Sequence, residues 1–405
     1  MLTVEAALAH ILEEVIPFSC VHLPIRDTLG LTLAANVCSD IDSPPFDKSL
    51  MDGFAIRAED LRAGSATLDV IEEVTAGMVP QEQVGAGQAT QIMTGAPLPE
   101  GADTVVRVED SSLDANGTQV TLRVDSLARG TAVLLRGASM RCGDCIVPAG
   151  TALTPQILGS LAEAGQAELT VRRRPRVAIL TTGDELVPVE QRPGPGQIRN
   201  SNEVMLSAQV ERAGGVPVPL GIARDERADL GAKIRGGLDA DVLLLSGGVS
   251  AGKLDLVPSE LQAAGVRQVF HKIRMKPGKP LWFGTHHDEQ TDQHCWVFGL
   301  PGNPVSSMVC FELFVRTAVR CLMGVLREQP CVSRAALTVE HSMQSDRPVY
   351  HPARLHSNGA RLVVTPLQWR GSADLRATVD ANALIHFPAG DRTYPAEQTV
   401  DVIRL

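Results

Sequence analysis

The sequence predicts a multidomain protein built around a three-layer α/β domain with a mainly parallel sheet, flanked in the chain by β-rich regions. Between residues 171 and 327, short apolar strands alternate with amphipathic helices, which is typical of a parallel sheet covered on both faces. Residues 46–138 contain short β-type runs separated by Gly and Asn, and residues 328–405 return to short strands and turns. A chain of 405 residues is long enough for several such domains.

The first element along the chain is predicted to be a helix. In MLTVEAALAHILEEVIPF, apolar residues recur at helical spacing between Val4 and Val15. The acidic residues and the lack of a basic start argue against a secretory signal peptide. No apolar run approaches the ~18 residues of a transmembrane helix. We therefore expect a cytoplasmic protein without membrane partners.

The net charge and the cysteine spacing limit which partners and metal sites the sequence favours. The net charge is −10, from 47 acidic and 37 basic residues, which argues against nucleic acid as a partner but leaves room for a local basic pocket. Cys142 and Cys145 have C-x-x-C spacing without a second pair, so we expect them to be structural or incidental rather than a zinc site. The polar run THHDEQTDQH between two apolar runs predicts an exposed hairpin tip.

Polar loops follow the predicted strands of the α/β region. TTGDEL follows the strand RVAIL, SGGVSAGKLD follows DVLLL, GLPGNPVSS follows CWVF, and KPGKP joins two further strands. Ligands of parallel sheets bind at the carboxyl ends of the strands. Loops of this composition offer backbone N–H groups, hydroxyls and ammonium groups, so we expect an anion site at this edge.

Two of these loops have alternative interpretations. From Gly247 the spacing is G-x-x-x-x-G-K, but Leu254 stands where a nucleotide-binding P-loop needs Ser or Thr for magnesium. The same turn is also compatible with glycines that only relieve steric strain. TTGDEL is equally compatible with a helix start capped by Thr182 or Asp184.

The other two loops also leave alternatives. Lys276 and Lys279 lie on either side of Pro-Gly. They could neutralise a bound oxyanion, or they could be ordinary solvent-exposed lysines. PGNPVSS predicts the end of a strand and the start of a helix, with Asn303 as its cap and Pro304 as its first residue.

Taken together and in order, six stretches resemble the molybdopterin molybdenumtransferase family. They are SPPFDKSLMDGFAIR, IMTGAPLPEGADTVV, TTGDEL, SGGVSAGKLD, MKPGKP and GLPGNPVSS. The resemblance implies a transferase of molybdenum cofactor biosynthesis. Such an enzyme takes adenylylated molybdopterin and molybdate as substrates, uses Mg²⁺, releases AMP and leaves molybdenum on the pterin dithiolate. It also implies that the turn at Gly247 is a phosphate cradle of this family rather than a damaged P-loop.

Site residues follow from the resemblance position by position. The implied catalytic residues are Asp52, Thr94, Glu185, Asp225, Asp255, Lys276 and Lys279. The implied metal ligands are Glu185, Asp225 and Asp255. The implied residues around the pterin substrate are Thr182, Gly183, Asp184, Ser246, Gly247, Gly248, Ser250, Gly252, Pro301, Gly302, Asn303, Arg347 and Ser372. By similarity, Asp52 and Thr94 complete the cleft across a dimer interface.

The resemblance also implies a domain plan and partners. Residues 1–45 and 139–170 would form an elongated, discontinuous N-terminal domain, and residues 46–138 an inserted β-rich domain. Residues 171–327 would bind molybdopterin, and residues 328–405 would form a small β-barrel. The implied partners are a second copy of the chain, the adenylyltransferase of the same pathway and apo-molybdoenzymes.

Two positions depart from the family pattern. Ser139 stands where the family has an acid, and Pro352 where it has a second arginine; Asp144 and Arg354 are the nearest replacements in the sequence. These departures keep two alternatives open, a catalytically weakened paralogue that carries molybdopterin or acts as a scaffold, and a homologue that handles tungstate. The long N-terminal region and the C-terminal β region argue against a stand-alone adenylyltransferase.

Overall fold

The computed structural model divides the chain into two compact units. It describes residues 1–61, 64–249, 256–325, 332–359 and 361–405. The first unit comprises residues 1–34, 150–153 and 169–405, and the second comprises residues 35–149 and 154–168.

The first unit begins with the predicted helix, α1 (Val4–Glu14). Thr3 caps it, because its hydroxyl oxygen accepts a hydrogen bond of 3.2 Å from the N–H of Ala6. The buried side chains of the helix are Val4, Ala7 and Ile11. Strands β1 (Cys20–Pro24) and β2 (Thr32–Leu33) follow.

The second unit is mostly β and includes residues 46–138, for which short β-type runs were predicted. Its strands are β3 (Val37–Cys38), β4 (Lys48–Ser49), β5 (Gly53–Ile56), β6 (Ser65–Val74), β7 (Gln88–Ile92), β8 (Thr104–Arg107), β9 (Ser111–Leu113), β10 (Gln119–Arg123), β11 (Val133–Leu134) and β12 (Cys145–Val147). Six of them form one sheet in the order β8-β5-β7-β6-β10-β9, around a core that includes Phe54, Ile56 and Leu122. Helix α2 (Pro155–Glu163) starts after Thr154, whose hydroxyl accepts from the N–H of Ile157.

The next part of the chain contains the α/β sheet and some shorter strands. The strands in this part are β13 (Glu168–Arg172), β14 (Arg176–Thr182), β15 (Leu186–Val187), β16 (Ile198–Arg199), β17 (Val216–Ala223), β18 (Val242–Ser246), β19 (Arg267–His271), β20 (Trp282–Asp288) and β21 (Gln293–Leu300). Its helices are α3 (Ser201–Ala213), α4 (Arg227–Gly237), α5 (Val257–Ala263), α6 (Pro304–Cys310) and α7 (Arg316–Leu322). A π-helical turn, Phe311–Val315, joins α6 to α7, and β13 pairs with β1 and β2.

The main sheet has six strands in the order β17-β14-β18-β21-β20-β19. The first four are parallel, and the hairpin partner β20 runs antiparallel to β21. Alternate side chains of β14, such as Ala178 and Leu180, pack with α4 and α5, while α3 packs with α6 and α7. Helices therefore cover both faces of the sheet, which confirms the predicted three layers.

The C-terminal region closes into a barrel. Its strands are β22 (Val332–Leu337), β23 (His341–Met343), β24 (Val349–Asn358), β25 (Arg361–Pro366), β26 (Ala383–Phe387), β27 (Arg392–Tyr394) and β28 (Thr399–Arg404). Strands β22, β25, β24, β26 and β28 form the closed barrel, and Leu337, Val364 and Phe387 lie buried in its core. The predicted small β-barrel is thus confirmed. In the described residues, no helix combines the length and apolar character needed to cross a bilayer.

Asp241 fixes the start of the central strand β18. Its buried carboxylate accepts two hydrogen bonds from Arg173, at 2.7 and 2.6 Å, and one of 2.7 Å from the N–H of Arg176. Because hydrogen bonds to charged groups contribute about 1.5–3 kcal/mol each, we expect Asp241→Ala to lower the free energy of unfolding by about 2 kcal/mol or more. Urea unfolding of the full chain measures this. Asp239→Ala, at an exposed neighbour, is the control, and an equal loss in both variants would contradict the assignment.

Candidate active site

The carboxyl ends of three neighbouring strands meet at one edge of the main sheet. In register, Thr181 of β14 lies beside Ser246 of β18, which lies beside Leu300 of β21. A cavity of about 750 Å³ opens at this edge. The sequence-predicted residues that line it are Thr182, Gly183, Glu185, Asp225, Ser246, Gly247, Gly248, Pro301, Gly302 and Asn303.

The turn after β18 needs glycine on structural grounds. Gly247 has φ 104°, and a Cβ there would lie 2.7 Å from the carbonyl oxygen of Thr182. Gly248 has φ 65°, and a Cβ there would lie 2.6 Å from the side chain of Val257. Both the backbone conformation and the close approach exclude a larger residue. The glycines therefore bring this turn directly against the end of β14.

Gly302 differs from these two glycines. A Cβ at Gly302 would meet the Cα of Gly247 at 3.5 Å, an ordinary van der Waals distance. We therefore expect Gly302→Ala to fold with an unchanged melting temperature but to place a methyl group in the cavity and weaken ligand binding there. Gly247→Ala is expected to lower the melting temperature as well. Thermal melting and ligand titration of both variants measure this, and equal melting losses would contradict it.

A hydrogen-bond network joins helix α3 to the turns. The amide nitrogen of Asn202 donates to the hydroxyl of Ser246 and to the carbonyl oxygen of Gly302, both at 2.8 Å. Two buried polar atoms on the cavity-lining residues lack a hydrogen-bond partner among the described residues, Oγ1 of Thr182 and Oδ1 of Asn202. Because buried polar groups are normally paired, an ordered water or a bound ligand would complete the hydrogen bonding of these two atoms.

The TTGDEL segment does not begin a helix. Strand β14 ends at Thr182, and a turn leads directly into β15. The alternative of a helix start is therefore wrong. The carboxylate of Asp184 accepts a hydrogen bond of 3.3 Å from the N–H of Asp225 instead of capping a helix. Asp184 therefore does not line the cavity itself but contacts Asp225, which does. The Glu185 carboxylate folds back over Gly183, where an added Cβ would lie 2.5 Å from it.

A second cavity, of about 600 Å³, adjoins the first. The two share the lining residues Pro280, Pro301 and Asn303, so they lie side by side between the sheet edge and the barrel, and together they are called the cleft. The cationic residues that line the second cavity are Lys276, Lys279, Arg347 and Arg370. Both lysine side chains are exposed, and neither forms an ion pair within the described part of the chain. The cleft is thus locally basic in a protein of net negative charge.

The backbone of the KPGKP loop is fixed by the barrel. The N–H of Lys276 donates to the carbonyl of Pro348 at 2.9 Å, and its carbonyl accepts from the N–H of Tyr350 at 2.8 Å. Arg347 donates to the carbonyl of Met275 at 3.2 Å and pairs with Asp346. The lysines therefore lie on a loop whose backbone is hydrogen-bonded to the barrel in the manner of a β-bridge.

Ser372 connects the barrel loop to the start of α6. Its carbonyl accepts from the N–H of Val305 at 3.0 Å, and its hydroxyl accepts from the side-chain amide of Asn303 at 2.9 Å. Asn303 lies at the predicted cap position and Pro304 is the first helical residue, but the Asn303 side chain makes no capping hydrogen bond. The expectation that this side chain caps the helix is therefore wrong, because the contact with Ser372 takes its place.

The barrel adds an aromatic wall that the sequence did not indicate as part of the site. His341, His351 and Trp369 line the second cavity, and His351 packs edge-on against both other rings. The indole N–H of Trp369 is buried without a partner among the described residues. The only available signal was the position of Trp369-Arg370 directly before the GSADL element.

Burial lowers the pKa of His351 to about 4. The folded protein then binds fewer protons than the unfolded chain, whose histidine has a pKa near 6.5. We expect the free energy of unfolding to fall as the pH drops below about 6.5. The loss that His351 causes is complete below about pH 4 and amounts to about 3 kcal/mol. The measurement is unfolding of the wild type and His351→Gln between these pH values. The variant should show a shallower slope, with His356→Gln, at an exposed position, as the control; equal slopes for wild type and His351→Gln would contradict it.

Asp52 and Thr94 lie together in the second unit. The N–H and the hydroxyl of Thr94 both donate to Oδ1 of Asp52 at 2.7 Å. These hydrogen bonds hold the pKa of Asp52 below its usual value. Asp52 is thus an exposed, ionised carboxylate in a fixed orientation. Three other sequence-predicted site residues, Ser250, Gly252 and Asp255, lie outside the described residues.

Comparisons with known proteins find matching families along most of the chain. Residues 2–165 match the MoeA N-terminal region (domain I and II), residues 178–320 match a probable molybdopterin binding domain, and residues 334–405 match the MoeA C-terminal region (domain IV). The chain is 34% identical over 387 residues to a molybdopterin molybdenumtransferase of Bacillus subtilis (strain 168), covering 94% of this chain and 88% of that protein.

The chain belongs to the molybdopterin molybdenumtransferase family, whose members are transferases. It is also 31% identical over 408 residues to a molybdopterin molybdenumtransferase of Staphylococcus aureus (strain Mu50), covering 99% of this chain and 94% of that protein. A solved structure titled molybdopterin biosynthesis MoeA protein, from Pyrococcus horikosii, superposes with a TM-score of 0.81 at 30% identity. That match covers 100% of this chain and 99% of the other. The predicted family and fold are therefore confirmed.

The two departures from the molybdenumtransferase pattern have different surroundings. Asp144 accepts from the N–H of Arg141 at 2.9 Å, so its carboxylate closes its own turn. On β24, Arg354 is exposed and does not line the second cavity, whereas Arg370 does. Arg370 is thus the better-placed cation to replace the arginine missing at Pro352.

Proposed function

We propose that this chain inserts molybdenum into molybdopterin. It would take adenylylated molybdopterin and molybdate as substrates and release AMP in a Mg²⁺-dependent reaction. The main observation behind the proposal is the pair of adjoining cavities, with glycine turns and carboxylates at the sheet edge and four cations beside the barrel. Both substrates are anionic, and this arrangement offers each of them a separate end of the cleft.

The sheet-edge end suits the pterin and its phosphates. The turns at Gly247 and Gly302 bring backbone close to the ligand, and backbone N–H groups at such turns favour phosphate oxygens. The unpaired hydroxyl of Thr182 is a donor for a phosphate oxygen. The unpaired carbonyl oxygen of Asn202 is an acceptor for an N–H group of the pterin ring.

The barrel end suits the molybdate oxyanion. Lys276, Lys279 and Arg347 neutralise its charge, and the Ser372 hydroxyl supplies a further hydrogen bond. Holding molybdate beside the pterin dithiolate converts an encounter in solution into a reaction between positioned groups. The dithiolate sulphurs then bind molybdenum in place of an oxygen, which leaves with two protons as water. A second water molecule adds to the phosphoanhydride, which gives AMP and the pterin phosphate.

Two carboxylates fit a magnesium ion at the phosphate end. Glu185 and Asp225 line the first cavity, and Mg²⁺ commonly binds one or two carboxylates together with substrate phosphates. Asp255 is proposed as a third ligand. When bound, Mg²⁺ would neutralise charge on the phosphoanhydride. The ionised carboxylate of Asp52, oriented by Thr94, is proposed as a further catalytic group.

The test is a single-turnover assay with adenylylated molybdopterin, molybdate and Mg²⁺. It follows AMP release and transfer of the finished cofactor to an apo-molybdoenzyme, for the wild type and for Ser139→Asp. We expect AMP release and transfer by the wild type. If neither protein bound the pterin, the proposal would be wrong.

A second candidate is a paralogue that binds molybdopterin as a carrier or scaffold without turnover. Ser139 favours it, since no charge stands there and the Asp144 carboxylate is engaged by Arg141. In the same assay this candidate predicts tight pterin binding, no AMP from the wild type and AMP from Ser139→Asp. Replacing molybdate by tungstate tests the tungstate-handling alternative, which predicts faster turnover with tungstate.

We also propose that the chain acts as a homodimer and exchanges its substrate and product with the pathway's adenylyltransferase and with apo-molybdoenzymes. Sedimentation of the purified chain measures the first point. A monomer at assay concentrations would contradict it.

A further inference from the structure

The hairpin between β20 and β21 carries a cluster of metal-binding side chains that the cleft does not use. His287 and His294 are direct cross-strand neighbours, and Asp292 lies in the turn between them. All three side chains are exposed. Strand β21 runs from this hairpin to the cleft, so the cluster lies at the opposite end of the strand, roughly 25 Å from the cleft for eight residues.

The three side chains hold their donor atoms close together. The two imidazole rings are stacked with their centroids 4.1 Å apart. Oδ1 of Asp292 lies 3.0 Å from Nε2 of His287. One donor atom from each residue lies within 4.8 Å of the other two, and among the described residues no other His, Cys, Asp or Glu triplet meets this criterion.

We propose that His287, His294 and Asp292 form a binding site for a divalent first-row transition-metal ion. Two imidazoles and one carboxylate are ligands that Zn²⁺, Cu²⁺ and Ni²⁺ accept, whereas Mg²⁺ takes oxygen ligands. Exposure of the site leaves room for water to complete the coordination. By joining both strands and the turn, the ion closes the tip of the hairpin.

The test is a titration of the full chain with Cu²⁺. Calorimetry measures the affinity and the stoichiometry, and the electron paramagnetic resonance spectrum reports the ligand atoms. Because Cys20, Cys38, Cys142 and Cys145 are exposed thiols, the protein is first alkylated with iodoacetamide. Saturating Mg²⁺ is present to occupy carboxylate sites in the cleft. We expect one Cu²⁺ per chain with nitrogen coupling in its spectrum, and weaker binding of Ni²⁺ in the order of intrinsic affinities.

Matched variants identify the ligands. His287→Ala and His294→Ala are each expected to weaken Cu²⁺ binding by more than the roughly tenfold that loss of an outer-sphere partner causes. His286→Ala is the control, because its side chain points to the opposite face of the same strand. The proposal is overturned if the double variant lacking His287 and His294 binds Cu²⁺ as tightly as the wild type, or if His286→Ala causes the same loss.

Discussion

Replacing Lys276 or Lys279 with methionine is expected to lower the catalytic efficiency for molybdate by about 100- to 1000-fold. Removing one donor that stabilises charge in the transition state typically has an effect of this size. Both ammonium groups line the cavity beside the barrel, and neither is neutralised by an ion pair in the described parts of the chain. Methionine keeps most of the side-chain length, so the change removes charge rather than volume.

The fold should survive these substitutions. The loop is held by backbone hydrogen bonds to Pro348 and Tyr350, which the variants keep. Lys272→Met is the matched control, since it lies just before the loop and outside the cavity. Steady-state kinetics at varied molybdate measure the effect, alongside the melting temperature. A loss of activity of the same size in Lys272→Met would contradict a specific role for the two cavity lysines.

Asp225→Asn and Glu185→Gln are expected to raise the Mg²⁺ concentration for half-maximal rate by more than about tenfold, the smallest loss that is typical when only an outer-sphere partner of a ligand is removed. Both changes remove a negative charge and keep the side-chain shape. We also expect weaker binding of Mn²⁺, used as a spectroscopic probe for the Mg²⁺ position, in the absence of substrate turnover. This second readout separates metal binding from other effects on rate.

Glu226→Gln is the control for the carboxylate variants. Glu226 is exposed, adjoins Asp225 in sequence, and does not line the cavity. It should leave both the Mg²⁺ requirement and Mn²⁺ binding unchanged. If Asp225→Asn and Glu185→Gln also leave Mn²⁺ binding unchanged, the two carboxylates are not metal ligands.

Features that depend on local pattern were predictable from the sequence. The strand ends at Thr182, Ser246 and Leu300 meet because apolar strands alternating with helices give a parallel sheet, whose carboxyl ends share an edge. The glycine-rich turn at Gly247 was predicted at this edge of the sheet, and the structure shows that it lies against the carbonyl of Thr182.

Features that depend on distant pairing were not predictable in this way. The aromatic wall of His351 and Trp369 reaches the cleft only because the backbone of Lys276 pairs with β24, more than 70 residues further along the chain. Asn303 has the sequence of a helix cap, yet its side chain bonds Ser372 from the barrel loop. Tertiary contacts of this kind override local preference, and periodicity carries no signal for them.

The most direct test of molybdenum insertion is the X-ray absorption spectrum of molybdenum after one turnover of the wild-type protein with adenylylated molybdopterin, molybdate and Mg²⁺. We expect sulphur ligands on molybdenum in the wild type and only oxygen ligands with Lys276→Met. A wild-type spectrum with oxygen ligands alone, although the pterin is bound, would show that the cleft holds the substrate without transferring the metal.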